Sequence, residues 1–553
     1  MKAIYKFLII LILPALIGLG SCKRFSELLE NPNNPSPSAA DVDLYLNAVQ
    51  LSFSNVFNDA NGYGMGLTRM QIFYGPTYAS GISPNSMDGL WTDAYTGVIK
   101  QTDAMIPVAR SQGKYVHAAI GEILKAYTLF TLVDMLGDVP NSEADKGVDN
   151  TNPVADKGAD VYAAAIALLD TAIADLAKTP SSYPSSDLFF TSSGSSEATN
   201  WRKTAKTLKF RAYMNTRLVN NTAASKIAAL IADGDLITSD ANEWTFRYGT
   251  RQSTPNNRHP NYNGNYVASG GAGDYIGVYF LYSIVAEKPV SDPRRRYYFF
   301  RQTLSTPGNV QQQPCAFQAK PAHYSSSTPY CYFLTAPGYW GRDHGDASGI
   351  PPDGNLRTTW GAYPAGGRYD NSEGVATTLN TGGQGAGILP LWMSFFTDFE
   401  RAEAALALGV TGDPRTLLES GIRKSIARVI AFPGQIGVSP APSVGIPTQA
   451  TIDNYVNYVL SQYDAATTND DRLDVVLKEY YIALWGNGLD AYDMYRRTCR
   501  PKNLQPALQA QPGAFIRTFL YPSVYVNLNS NATQKGDVTV KTFWDTNTGN
   551  CTY

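Results

Sequence analysis

The stretch Tyr339-Trp340-Gly341-Arg342-Asp343 puts two aromatic rings and both signs of charge within five residues. Those types together suit non-covalent recognition of a polyhydroxylated ring. The C–H faces of a sugar stack on Trp or Tyr, and its hydroxyls need Asp, Asn or Arg beside the ring. Trp360 and Tyr363 sit in a similar glycine-punctuated stretch, and Tyr74 and Tyr78 could close a cleft from the N-terminal side. These eight residues, Tyr74, Tyr78, Tyr339, Trp340, Arg342, Asp343, Trp360 and Tyr363, are the candidate ligand-binding set. The competing reading is that the rings are buried or pack against a protein partner.

Covalent chemistry has no comparable foundation. The four histidines, His117, His259, His323 and His344, are scattered, with no H-E-x-x-H among them, and no G-x-S-x-G elbow occurs. The glycines at 270–277 and 382–387 lack the strand–turn–helix setting of a phosphate loop and read as turns. Asp398 and Glu400, two apart on a helical pattern, point to different faces and make no acid/base pair. Neither an enzyme, a cofactor nor a metal site is expected. A net charge of −2 leaves no basic footprint for nucleic acid. Aromatics are plentiful instead, with 35 Tyr, 22 Phe and 8 Trp, as in proteins that bind through aromatic surface.

The elements that must position these residues are mainly helical. From Tyr115 to Leu136, apolar residues including Val116, Ile120, Ile123, Tyr127 and Phe130 recur at three- and four-residue steps. Gly137 and Pro140 mark the stop, and the size of the apolar face predicts partner helices on more than one side. Asp41 can cap a helix over 42–57, and further helices are expected from Trp91, over 160–176 and over 201–219. Pairs of thirty to forty residues have the size of tetratricopeptide-like units, without their consensus. From about 249 to 390, Gly, Pro, Ser, Asn, Tyr and Trp dominate, which predicts an ordered, loop-rich insertion. Helices resume at Leu391 and continue to about 500, so 42–553 reads as one domain: a helical scaffold at 42–248 and 391–500, with the insertion between.

The N-terminus sets the compartment. Lys2 and Lys6 precede the apolar run from Phe7 to Leu19, which ends in Leu19-Gly20-Ser21-Cys22. This resembles a bacterial lipobox, which implies cleavage after residue 21 and acylation of Cys22. Several acyl chains exceed what stable anchoring needs, so a membrane lipid anchor is expected. Residues 22–41, with NPNNPSPS, form a tether. Four cysteines remain, Cys315, Cys331, Cys499 and Cys551, which allow three connectivities. Proximity in sequence favours Cys315–Cys331 with Cys499–Cys551.

The order of these features resembles the SusD/RagB family, in its SusD-like nutrient-binding lipoprotein branch from Bacteroidetes. The resemblance is carried by LKAYTLFTLVDMLGDVP, the aromatic loop region, FERAEAALALG, YYIALWGNGLDAYDMYRRTCRP and FLYP, and it covers almost the whole chain. It implies tetratricopeptide-like pairs supporting an irregular ligand-binding half, glycan or peptide cargo, and a SusC-type TonB-dependent barrel as partner. Anchoring in the outer membrane, facing the cell exterior, is implied as well. Two stretches depart from the branch. Lys23 and Arg24 follow the cysteine where surface-exposed members commonly carry acidic residues, and Val524-Tyr525 stand after Tyr521-Pro522-Ser523 where a Glu is usual. Trp485 and Arg496–Arg497 read as an internal packing and charge knot.

Overall fold

A computed structural model describes residues 41–267, 272–306, 314–346, 356–547 and 551. Cys22, the signal segment and the proline-rich tether through residue 40 lie outside the described residues.

The chain is mainly helical. The first helix, α1 (Val42–Leu67), starts where Asp41 accepts the backbone N–H of Asp43, and it runs ten residues past the expected end at Phe57. Asn61, Tyr63 and the glycines after them lie beyond that expected end, yet tertiary packing holds them in the last turns of α1. A short helix at Asp88–Thr92 and a π-helical turn at Asp93–Ile99 lead into α2 (Lys100–Ser111) and α3 (Tyr115–Leu136). Gly137 ends α3 with φ of 78°, a conformation open to glycine, and donates its N–H to the Val133 carbonyl. Next come α4 (Gly158–Leu176), α5 (Ser195–Thr216) and α6 (Ala223–Asp233). Leu218, within the helix expected over 201–219, falls after α5 and is exposed. Helix α3 packs against α1, α2, α4 and α5, and so nearly every side chain along it is buried. Among the described residues it alone is long and apolar enough to cross a membrane; instead it is the axis of the core.

After β1 (Trp244–Arg247) regular structure becomes sparse: α7 (Val278–Val285), β2 (Phe299–Phe300) and β3 (Thr359–Trp360) interrupt long connections. Ile388–Trp392 forms β4, antiparallel to β1 with Trp244 opposite Trp392. Leu391 and Trp392 therefore close a strand, where the sequence pattern predicted the start of a helix; α8 (Ser394–Leu408) begins two residues later. Helices α9 (Pro414–Ile436), α10 (Gln449–Ala465), α11 (Asn469–Ala483) and α12 (Gly488–Thr498) complete the second helical half. Consecutive helices pack in pairs: α3 with α4, α5 with α6, α8 with α9, α10 with α11.

One contiguous core joins both helical halves to the loops. Its hinge is α12, whose N-terminal Gly488 lies so close to α1 that a Cβ there would collide with Met65 N and Asn61 O. Trp485, just before α12, is sandwiched between Phe280 at 4.7 Å and Trp360 at 4.0 Å. Beyond it, Arg496 donates to the carbonyls of Asp134 (2.6 Å) and Arg517 (2.7 Å) and stacks on Tyr492. Arg497 forks onto Glu403, and Arg211 reaches Asp490, Asp493 and Asp134. Buried charges persist only when paired in this way, and a missing partner costs several kcal/mol, about 3–5. Burial and the neighbouring Asp493 push Asp134 up to about 8.

Candidate functional site

The eight candidate residues fall into two groups. Trp360 and Tyr363 belong to the core. Trp360 lies on Trp485, and Tyr363 is fully buried between Tyr298 and Phe432. Neither ring has a face open to solvent.

The other six meet in one loop cluster. Trp340, 1% exposed, packs with Ile72 and Tyr275 in a small satellite core. Its backbone pairs with Tyr332 in an isolated bridge, and its N–H donates to Thr358 Oγ1 at 2.9 Å. Arg342 lays its guanidinium 4.8 Å over Tyr275, and Arg357 does the same at 3.8 Å. Tyr74, 43% exposed, donates to Asp274 Oδ1 at 3.0 Å beside that ring. Burial and Asp274 hold its phenol above the ordinary range. Tyr78 is interior: its oxygen accepts from Arg69 and shares a hydrogen bond with His344, each at 3.0 Å. Tyr339 is buried under Arg301 with its hydroxyl on Asp370. Asp343 accepts the Cys331 N–H and the Gln505 side-chain amide at 2.6 Å, and burial pushes it up to about 7. Of the eight, Tyr74 alone stands open to solvent. Tyr78, Tyr339, Trp340, Arg342 and Asp343 are frame, because loops packed over them cover their faces.

What that frame supports is an open cleft of about 430 Å³, lined by Tyr282, Gln318, Lys320, Tyr330, Tyr332 and Phe333. The disulfide Cys315–Cys331, with its Cα atoms 5.7 Å apart, ties the two walls. Cys331 sits at φ of 66° and is held from beneath by Asp343, which turns Tyr330 and Tyr332 outward while Phe333 is buried. Tyr330 reaches Gln318 Oε1 at 3.5 Å, and Lys320 donates to the Ser326 carbonyl at 3.1 Å. The cleft therefore combines half-exposed rings with an amide, an ammonium and serine hydroxyls. It can stack on apolar ring faces and hydrogen-bond at their edges. The signal in sequence was Pro329-Tyr330-Cys331-Tyr332-Phe333: rings alternating with a cysteine that must be fixed. The second pairing, Cys499–Cys551, also forms, so the connectivity favoured by proximity is the one present.

Among the described residues no cluster of His, Cys, Asp or Glu is arranged to hold a metal ion. Asp398 pairs with Ser420 and Lys424, whereas Glu400 faces Arg497, so the two carboxyls do not converge. His117 is buried at the start of α3 against Asp43.

Comparison with known proteins places this arrangement. Residues 33–339 match the family described as "Starch-binding associating with outer membrane", and residues 389–543 match "Susd and RagB outer membrane lipoprotein". None of the curated proteins matches the sequence. Among solved structures, a susd/ragb family protein from Bacteroides thetaiotaomicron superposes with a TM-score of 0.65 at 19% identity, covering 92% of this chain and 99% of that one. A protein named as chitin-binding gives a TM-score of 0.64 at 19% identity, covering 92% of this chain and 100% of the other. A chitin-binding SusD homolog from Flavobacterium johnsoniae gives 0.60 at 19%, covering 90% and 99%. At these identities the structures establish the fold.

Proposed function

We propose, from the premise that the chain belongs to the SusD/RagB family of outer-membrane lipoproteins, that it captures oligosaccharides at the cell surface and passes them to a SusC-type TonB-dependent transporter. Binding without catalysis is the reading that fits the residues. The observation that carries it is the cleft of about 430 Å³ in the loop-rich half, with Tyr282, Tyr330 and Tyr332 beside Gln318 and Lys320. Rings that flank hydrogen-bonding side chains suit a glycan better than a purely apolar ligand. Two similar folds carry chitin-binding in their names, which supports glycan cargo over peptide. Tyr74, bonded to Asp274, adds a further exposed ring in the same loop cluster.

Anchoring through acylated Cys22 would keep the cleft at the membrane, and the barrel would receive the cargo. A surface for that partner is suggested where Trp91, Pro153, Tyr525 and the 77% exposed Leu528 surround a cleft of about 220 Å³. Val148, 96% exposed, lies on the same loop as Pro153. Leu528→Asp should then weaken co-purification with the barrel and leave oligosaccharide binding unchanged.

The test of the cargo is calorimetric titration of the soluble chain from residue 23 with oligosaccharides and peptide digests. Saturable heat with one oligosaccharide class is expected. Heat with peptides alone would change the cargo. Silence across the panel would leave a purely structural lipoprotein of the transporter complex.

A further inference from the structure

A second cleft, of about 340 Å³, opens between α10 and α11, walled by the turn after α7 and by the 501–503 segment. Its walls carry three lysines and three carboxylates, and these neutralise one another. Lys288 pairs with Glu479 at 2.9 Å, Lys478 with Glu287 at 2.7 Å, and Lys502 with Asp474 at 2.7 Å. With the charges cancelled, the cleft has no net field to draw in an ionic ligand.

What it offers instead is a ring and hydrogen-bonding groups. Tyr458, half-buried on α10, lines the cleft, and its hydroxyl has no partner among the described residues. Gln462, four residues further along the same helix face and exposed, reaches only Ser461 Oγ, at 3.5 Å, which leaves its amide oxygen to accept. Asn503 is fixed by Tyr279 at 2.7 Å and Glu287 at 2.8 Å, and it keeps one amide N–H to donate.

Two elements join this cleft to the tyrosine cleft. The first is the end of α7, where Tyr282 lines the tyrosine cleft and its carbonyl accepts the N–H of Glu287, a wall of the second cleft, at 2.9 Å. Burial and then Glu287 raise the Tyr282 phenol, with Lys478 opposing, so its hydroxyl lies within electrostatic reach of the second cleft. The second is the segment after Pro501. Asn503 faces the second cleft, while Gln505 holds the Pro329 carbonyl of the tyrosine cleft at 2.9 Å. Two residues span at most about 7 Å, so the clefts are neighbours.

We propose, resting on the glycan reading of the tyrosine cleft, that the two clefts form one track: a linear neutral glycan seated at Tyr332 crosses Tyr282 and lays a further ring on Tyr458, with hydroxyls on Gln462 and Asn503. A short chain fills the tyrosine cleft alone. A longer one gains the second set of contacts without a second loss of translational freedom, which makes chain length a determinant of affinity.

The test is calorimetry on the soluble chain from residue 23 with maltodextrins and chito-oligosaccharides, each as disaccharide and octasaccharide. In the series that binds, the octasaccharide should be tighter by about tenfold or more. Tyr458→Ala should cut that ratio by about two- to tenfold, as loss of one stacking ring does. Gln462→Ala, at an exposed position, should keep the melting temperature and cut the ratio by about twofold or more. Tyr332→Ala should weaken both lengths alike. Equal affinity for the two lengths would overturn the track and leave the tyrosine cleft as the glycan site. An unchanged ratio in the folded Tyr458→Ala and Gln462→Ala variants would do the same. Silence with both series would overturn the track together with the glycan reading.

Discussion

Trp340 and Tyr332 pair across one bridge, yet their roles are opposite. Trp340 sits on Tyr275 and Ile72 beneath the loops, while Tyr332 points into the open cleft. Trp340→Ala should therefore act on stability, costing about 3–5 kcal/mol as large core truncations do, with a clearly lower melting temperature. A normal melt with weakened ligand binding would return Trp340 to the contact surface. Local pattern did not separate these two rings, because the atoms that cover Trp340 come from residues far away in sequence. A second residue-scale prediction concerns Glu400, pushed up to about 8 from its ordinary 4.5 by burial, with Glu403 and Asp490 adding to the effect. A raised carboxyl stabilises the fold fully below its unfolded pKa and loses that contribution as pH rises towards 8. Wild type should then lose more stability than Glu400→Gln between about pH 5.5 and about pH 8.5, by up to about 1.4 kcal/mol per unit inside the window. Parallel melting curves for the two proteins would contradict it.

Among the elements, the strongly periodic helices were legible: α3 and α4 lie close to where their apolar spacing put them. The misses have physical causes. Ile388–Trp392 is a continuous apolar run, which suits a buried strand and a helix start equally, and only pairing with β1 decides. The C-terminal turns of α1 are rich in Asn and Gly, and they stay helical because α12 packs directly on them. Gly488→Ala should break that contact and cost a few kcal/mol, about 1–3 from overpacking or more, read as a lower denaturation midpoint. A neutral effect would mean that the two helices can separate freely. The disulfide Cys315–Cys331 fixes the walls of the tyrosine cleft across a separation of 16 residues. Cys315→Ser should cost about 3 kcal/mol or less in stability and weaken oligosaccharide binding together with it. Unchanged affinity would show that the walls hold without the bridge.

For the whole molecule, the helical scaffold and the irregular half were both readable from composition and periodicity, whereas the location of the cleft was not. The aromatic motif with the richest chemistry, Tyr339 to Asp343, became the frame, and the plainer Tyr330-Cys331-Tyr332 became the surface. The proposed capture of glycans calls for this division, in which a rigid layer presents a few open rings. The most direct test of that account is a paired calorimetric titration of wild type and Tyr332→Ala with the tightest oligosaccharide of the panel. Loss of one stacking ring, worth about 0.5–1.5 kcal/mol, should raise Kd by about two- to tenfold at an unchanged melting temperature. Identical affinities, with both proteins folded, would contradict the assignment of the cleft.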